Sequence, residues 1–209
     1  MPTSKDEAYT YIKNKIVTCE YKPNQVLDLN EIQNALGVSR TPVRDAIAAL
    51  EQENLVTVLP RRGVLVTAIT PKEIADIYAV REVLEPFIAH RAAQMADPEK
   101  LQYFRDKFTD SSLSVAELNN YDQEFHWYLV TVLNNPYLTS TMNLILSHNM
   151  RFIILGGKIP KRIDTSNQEH LKIIDALLAR DSDKAEKLMR QHMSKAAESA
   201  YMSMSLSNG

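Results

Sequence analysis

A glycine stop followed two residues later by a fresh helix start is the feature that most limits what this chain can fold into. Gly37 closes an amphipathic stretch carrying Ile32, Ala35 and Leu36, because glycine enters the left-handed region without penalty. Ser39 then offers a hydroxyl to the orphan amides of a new first turn, where the missing N–H of Pro42 costs nothing. Two helices joined by so short a turn have helix-turn-helix spacing. In the second, Val43, Ile47 and Leu50 share the side that anchors to a core. Arg40 and Arg44, one turn apart, share the opposite side. A helix of this kind is built to enter a DNA groove.

The flanks fit the same unit. Ala8, Tyr9, Ile12 and Ile16 mark a first amphipathic helix, and Asn30 with Gln33 forms a capping-box pair ahead of the second. Asn54 can close the third helix in the left-handed conformation. Val56 to Leu59 and Val64 to Thr67 are β-prone runs around Pro60-Arg61-Arg62-Gly63, a hairpin with a basic tip. The expectation is a winged helix-turn-helix over residues 1–69. Two arginines four apart would alone read as a solvated helix face. Arg40, Arg44, Arg61 and Arg62 together, at groove-facing positions of one small domain, favour DNA.

Composition sets outer bounds. At 209 residues the length suits one large or two small domains, and 44% hydrophobic residues are ample for a core. No apolar run approaches the roughly 20 residues of a membrane helix. The opening Met1–Glu7 has no apolar stretch, so neither a signal peptide nor a membrane partner is expected. The single cysteine, Cys19, excludes an intrachain disulfide and suits a reducing cytoplasm. The net charge of −2 does not exclude DNA, because the potential at the contact surface matters more than the sum.

Thr70-Pro71-Lys72-Glu73 reads as a capping box with proline at the first helical position, and it opens a second domain, residues 70–209. No alternating strand pattern follows it. The spacing predicts helices at about 71–96, 98–109, 114–133, 136–155, 166–180 and 182–202. Ser114 with Glu117 and Ser166 with Glu169 are further capping boxes, and Asn134-Asn135-Pro136 and Gly156-Gly157 are breaks. The fold class is mainly α: the winged unit followed by an all-α bundle of about six helices.

Polar residues interrupt the inward faces of that bundle. Asp122 and His126 lie four apart within the stripe of Leu118, Phe125, Leu129 and Leu133. His170 shares a face with Ile174 and Leu177, and His192 with Leu188, Met189 and Ala196. One carboxylate and three imidazoles from three helices form a donor set suited to a divalent transition metal: zinc first, with nickel or manganese as alternatives. The bland reading, a core histidine bonded to a carbonyl, competes at each position taken singly. Arg81 falls in the stripe of Ile74, Ile77, Leu84 and Ile88 and needs a counter-charge. Glu85 one turn on is one candidate, and a bound carboxylate is the other. His90 reads as a surface residue and His148 as a weak candidate for the pocket wall.

Residues 5–67 resemble the DNA-binding domain of the GntR family of bacterial transcription regulators. Leu36-Gly37-Val38-Ser39-Arg40-Thr41-Pro42-Val43-Arg44-Asp45-Ala46 carries the likeness, and Leu50-Glu51, Leu55-Val56 and Arg62-Gly63 continue it. The chain departs from the family pattern at Asn54, where glycine is usual. The resemblance implies that Ser39, Arg40, Thr41 and Arg44 contact phosphates and base edges, with Arg62 and Gly63 along the minor groove. Residues 71–202 resemble the FCD effector domain of the FadR branch through Arg81, Leu84-Glu85, Asp122-Gln123-Glu124-Phe125-His126, Glu169-His170, Ala185 and Gln191-His192. That likeness implies a metal held by Asp122, His126, His170 and His192, and a small organic acid as effector, held by Arg81.

The resulting expectation is a cytoplasmic homodimer that represses transcription from a near-palindromic operator in double-stranded DNA and responds to a carboxylate. It is not expected to be an enzyme. A metal-dependent hydrolase is the competing reading, weakened because neither Glu124 nor Glu169 lies squarely on the inward face as a general base. A purely structural metal is the third.

Overall fold

Thr3 starts the first helix, α1 (Ser4–Val17), with a capping box: its amide donates to the Asp6 carboxylate at 2.9 Å, and its hydroxyl accepts from the Asp6 amide. The computed structural model describes residues 3–157 and 160–207. Within it the chain divides into two compact units, Met1–Thr70 and Pro71–Gly209.

In the first unit α2 (Leu29–Leu36) ends at Gly37, whose φ of 64° is the left-handed stop. Its N-cap is Asp28, not Asn30: Asp28 Oδ1 accepts from the amides of Asn30 (2.8 Å) and Glu31 (3.2 Å). A carboxylate is the stronger acceptor at the positive end of a helix, and starting there lets Leu29 pack on the core. The next helix, α3 (Arg40–Gln52), has Ser39 at its N-cap in extended geometry, yet the Ser39 hydroxyl makes no capping bond. Pro42 explains this, since it occupies the third helical position and removes one of the two amides that hydroxyl could serve. Asn54 follows the helix at φ 57°, and the Leu55 amide reaches back to the Leu50 carbonyl at 3.0 Å.

The wing is the antiparallel pair β2 (Val56–Leu59) and β3 (Gly63–Val66), in register Leu59↔Gly63 through Val56↔Val66. A short strand absent from the sequence reading, β1 (Val26–Leu27), pairs with the other edge of β3, giving the order β1-β3-β2. Two residues are too few to show a period. Ile12, Ile16, Val43, Leu50, Leu55 and Val66 form the core, all at most 0% exposed.

The second unit is helical among the described residues: α4 (Pro71–Ala92), α5 (Pro98–Thr109), α6 (Val115–Val132), α7 (Pro136–Phe152), α8 (Pro160–Leu178) and α9 (Ser182–Ser207). A π turn, Ile153–Gly157, follows α7. The Ser114–Glu117 capping box is present at α6, and Asn135 caps α7 ahead of Pro136. Ser166 caps nothing, because α8 starts at Pro160 and Ser166 is buried within it. Phe104, Phe125, Leu129, Ile173, Leu177 and Met189 fill the centre, with Phe104 edge-on to Phe125 at 5.4 Å. No helix of the described residues is long and apolar enough to cross a membrane.

Candidate metal centre and nucleic-acid interface

His126 on α6, His170 on α8 and His192 on α9 converge, with side chains almost wholly out of solvent. The Nε2 of His170 lies 3.3 Å from that of His126 and 3.1 Å from that of His192. Phe108 and Phe125 pack on the His170 ring at 4.6 and 5.3 Å, so the trio has an apolar wall. Asp122, one turn before His126, is also buried and places Oδ1 3.7 Å from His170 Nε2, beside the three rings. Ser166 approaches the same oxygen at 3.5 Å.

The outer nitrogens explain why the inner ones face one another. His192 Nδ1 meets Glu169 Oε2 at 2.7 Å, and His126 Nδ1 lies against Glu85 Oε2. A carboxylate at Nδ1 holds the proton there and leaves Nε2 as a lone pair, the arrangement that orients metal-binding histidines. Burial pushes the His192 pKa down to about 4, against the opposing pull of Glu169, so the ring is neutral at pH 7. Burial disfavours charge on Glu85, but Arg81 and His126 overcome it and hold the carboxyl at about 2. Glu169 is likewise held at about 2, with burial outweighed by His192, Lys195 and Arg162. With Nε2 of His126 and His192 both left as lone pairs, a proton on His170 Nε2 could serve only one of them, whereas a cation among the three serves all, so the donor set fits a divalent ion.

Arg81 is paired inside the protein: its Nε donates to Glu85 Oε1 at 2.5 Å, and both side chains are 3% exposed. Burial opposes its charge, yet Glu85 keeps the guanidinium pKa above its ordinary value. Its carbon sits 5.2 Å from the Tyr78 ring centre. The counter-ion is therefore Glu85, and Arg81 still lines a small cavity with Asp122, His126 and His192. Arg162, missed in the sequence because it precedes the expected helix start, lines the same cavity. Glu169, read as lying off the inward face, turns out to hold His192. His148 bonds Glu73 at 2.7 Å, outside the cavity lining, and His90 sits 3.4 Å from Asp183.

In the first unit Ser39, Arg40, Thr41, Arg44, Arg61, Arg62 and Gly63 are all exposed. Arg40 and Arg44 line one groove with Arg61 and Gly63, so the α3 face and the wing tip share a concave surface. Arg61 turns the hairpin at φ 62° and Gly63 completes it at φ 101°. Glu51 ties α3 to the wing by accepting from the Val58 amide at 2.8 Å.

Comparison with known proteins agrees with these two units. The family model described as "Bacterial regulatory proteins, gntR family" matches residues 4–66, and that of the FCD domain matches residues 76–195. The HTH-type transcriptional repressor GlaR of Escherichia coli K12 is 26% identical over 200 residues, covering 90% of this chain and 91% of its own. The solved structure of E. coli McbR/YncC superposes with a TM-score of 0.82 at 18% identity, covering 98% of this chain and all of the other. The Zn2+-bound FCD domain of TM0439 superposes on 66% of this chain and 97% of its own, with a TM-score of 0.55 and 18% identity.

Proposed function

This chain belongs to the gntR family of bacterial regulatory proteins, in its FCD-containing branch, and from that premise we propose that it is a metal-containing, acid-sensing repressor of transcription. As a member it is a DNA-binding regulator, not an enzyme. The observation that carries the finer reading is the buried trio of imidazoles, with Nε2 atoms 3.1 and 3.3 Å apart, two of which, His126 and His192, line a cavity with Arg81. A zinc-bound relative of the same fold supports it.

In this reading His126, His170 and His192, with Asp122 beside them, hold a divalent ion, zinc before nickel or manganese. The ion supplies a Lewis-acidic point for an effector carboxylate. Glu85 and Glu169 aim the imidazoles, and Arg81 grips the acid with guanidinium donors other than the Nε–H it gives Glu85. On DNA, Arg40 and Arg44 reach base edges in the major groove, Ser39 and Thr41 reach phosphates, and Arg62-Gly63 follows the minor groove. A homodimer places one α3 in each half of a near-palindromic operator. The setting is the cytoplasm, where the DNA is.

An acid can shift DNA binding only by favouring one arrangement of the bundle over another, with a coupling of about 1–3 kcal/mol. Operator retardation by the zinc-loaded protein tests this. One or more small acids should change DNA affinity by roughly 5- to 150-fold. DNA binding that ignores every acid and ignores chelation would leave only a structural metal or none. The hydrolase reading is disfavoured by the same geometry, because Glu85 and Glu169, the carboxylates at the imidazoles, are committed to Arg81, His126 and His192.

A further inference from the structure

Arg162 lines the same cavity as Arg81 and meets the metal centre at its edge, through Glu169 and His192. Its side chain is 11% exposed, and its terminal nitrogen donates to Glu169 Oε2 at 2.7 Å and lies 3.3 Å from His192 Nδ1. Among the described residues its other terminal nitrogen donates to the Thr165 hydroxyl at 3.2 Å, and the first also reaches the His192 carbonyl at 3.4 Å. Glu169 does not depend on it, since that carboxylate also accepts from His192 at 2.7 Å and from Lys195 at 3.0 Å. Arg81 differs: it is fixed to Glu85, and Glu85 is fixed to His126. The cavity therefore has one anchored guanidinium on α4 and one releasable guanidinium on α8.

Both guanidiniums are largely buried, whereas Lys195 is 60% exposed and screened by solvent. An anionic group brought against Arg162 would replace Glu169 as its partner, so that no buried charge is left uncompensated.

We propose that Arg162 is a second anion handle, and that it makes the cavity select compact dicarboxylates over monocarboxylates of the same length. This rests on the acid-sensing reading above. One carboxylate lies toward the imidazole trio and Arg81, and the other draws Arg162 away from Glu169, which keeps His192 and Lys195. Tyr78, Met193, Ala196 and Ala200 give the same lining its apolar part, and because the cavity is only about 20 Å³ as it stands, a diacid enters only as Arg162 swings out. Selection then depends on the distal carboxylate alone.

Matched probes isolate that group: succinate against butyrate, and malate against 2-hydroxybutyrate, each pair differing by a carboxylate in place of a methyl. Calorimetric titration of the zinc-loaded full-length protein should show each diacid binding about ten- to a hundredfold more tightly than its partner, the scale of one charge-assisted bond. Arg162→Gln should abolish the preference, lowering diacid affinity by far more than that of butyrate or 2-hydroxybutyrate, with zinc still bound. Arg162→Lys, which keeps the charge, should restore part of it. Equal binding within each pair by the wild type, or a preference that survives Arg162→Gln, overturns the proposal and leaves acid sensing standing. If no carboxylate of either kind binds the wild type, both the proposal and the acid-sensing reading fall.

Discussion

Truncating His170 to alanine separates the packing role of the imidazole from its role toward a metal. The ring is fully buried against Phe108 and Phe125 and is the one that meets both other histidines at Nε2. Losing a buried group of this size costs about 2–5 kcal/mol through lost contacts and the void left behind, whether or not metal is present. Zinc adds a further difference. An ion that binds only the folded state stabilises it by about 2.7 kcal/mol at one hundred times its Kd. With two imidazoles left, the variant should lose nearly all of that. For a unit of this size the zinc-dependent gap corresponds to roughly 5–11 °C in Tm, at about 2–4 °C per kcal/mol. Calorimetric melts of wild type and His170→Ala, each in chelator and in excess zinc, give the four numbers required, and the transition of the helical unit is the one to follow. The gap between the proteins should widen on adding zinc. A gap of the same size in both conditions would mean that His170 is a core residue and nothing more.

Other expectations follow from the same contacts. Arg40→Ala with Arg44→Ala should abolish operator retardation and lower the salt dependence of residual binding, without altering the melt of the helical unit; unchanged affinity would refute the groove assignment. In metal-free protein, His192 has a folded pKa of about 4 against an ordinary 6.5, so the unfolded chain takes up its proton first as pH falls. Stability is then full above pH 6.5 and drops toward pH 4 by up to roughly 3 kcal/mol, with further loss below about 4.5 as Glu85 and Glu169, held at about 2, face an unfolded state that protonates more readily. Urea midpoints that stay flat from pH 7 to 4 would contradict this. Gly37→Ala should destabilise the first unit by about 1–2 kcal/mol from backbone strain alone, because a Cβ there meets nothing within 4 Å; a larger loss in denaturant melts would point to a contact instead.

Much of this architecture was legible in the chain because local chemistry and global pattern agree. Gly37, Pro42 and Asn54 punctuate the helices where the structure places their ends, and the apolar stripes bury the sides they predict. The inward positions of Asp122, His126, His170 and His192 follow from helical spacing for the same reason. What escaped depends on packing between segments distant in sequence. Glu169 looked misplaced beside His170, since only the approach of α9 brings His192 to it. Glu85 could be paired with Arg81 from one helix, but its second oxygen serves His126 on another. Arg162 lay ahead of a helix expected to start at Ser166, and so was assigned to no face. Asp28 displaced Asn30 as a cap because the core, not the capping motif, decides where α2 begins.

Elemental analysis of protein purified without added metal, and of three variants, bears most directly on the histidine trio. One zinc or similar divalent ion per chain should survive gel filtration, fall to background in the combined His126→Ala, His170→Ala and His192→Ala variant, and persist in His90→Ala and in His148→Ala. A wild type that holds no ion even after zinc loading, or a triple variant that retains it, would show that these three imidazoles do not bind metal.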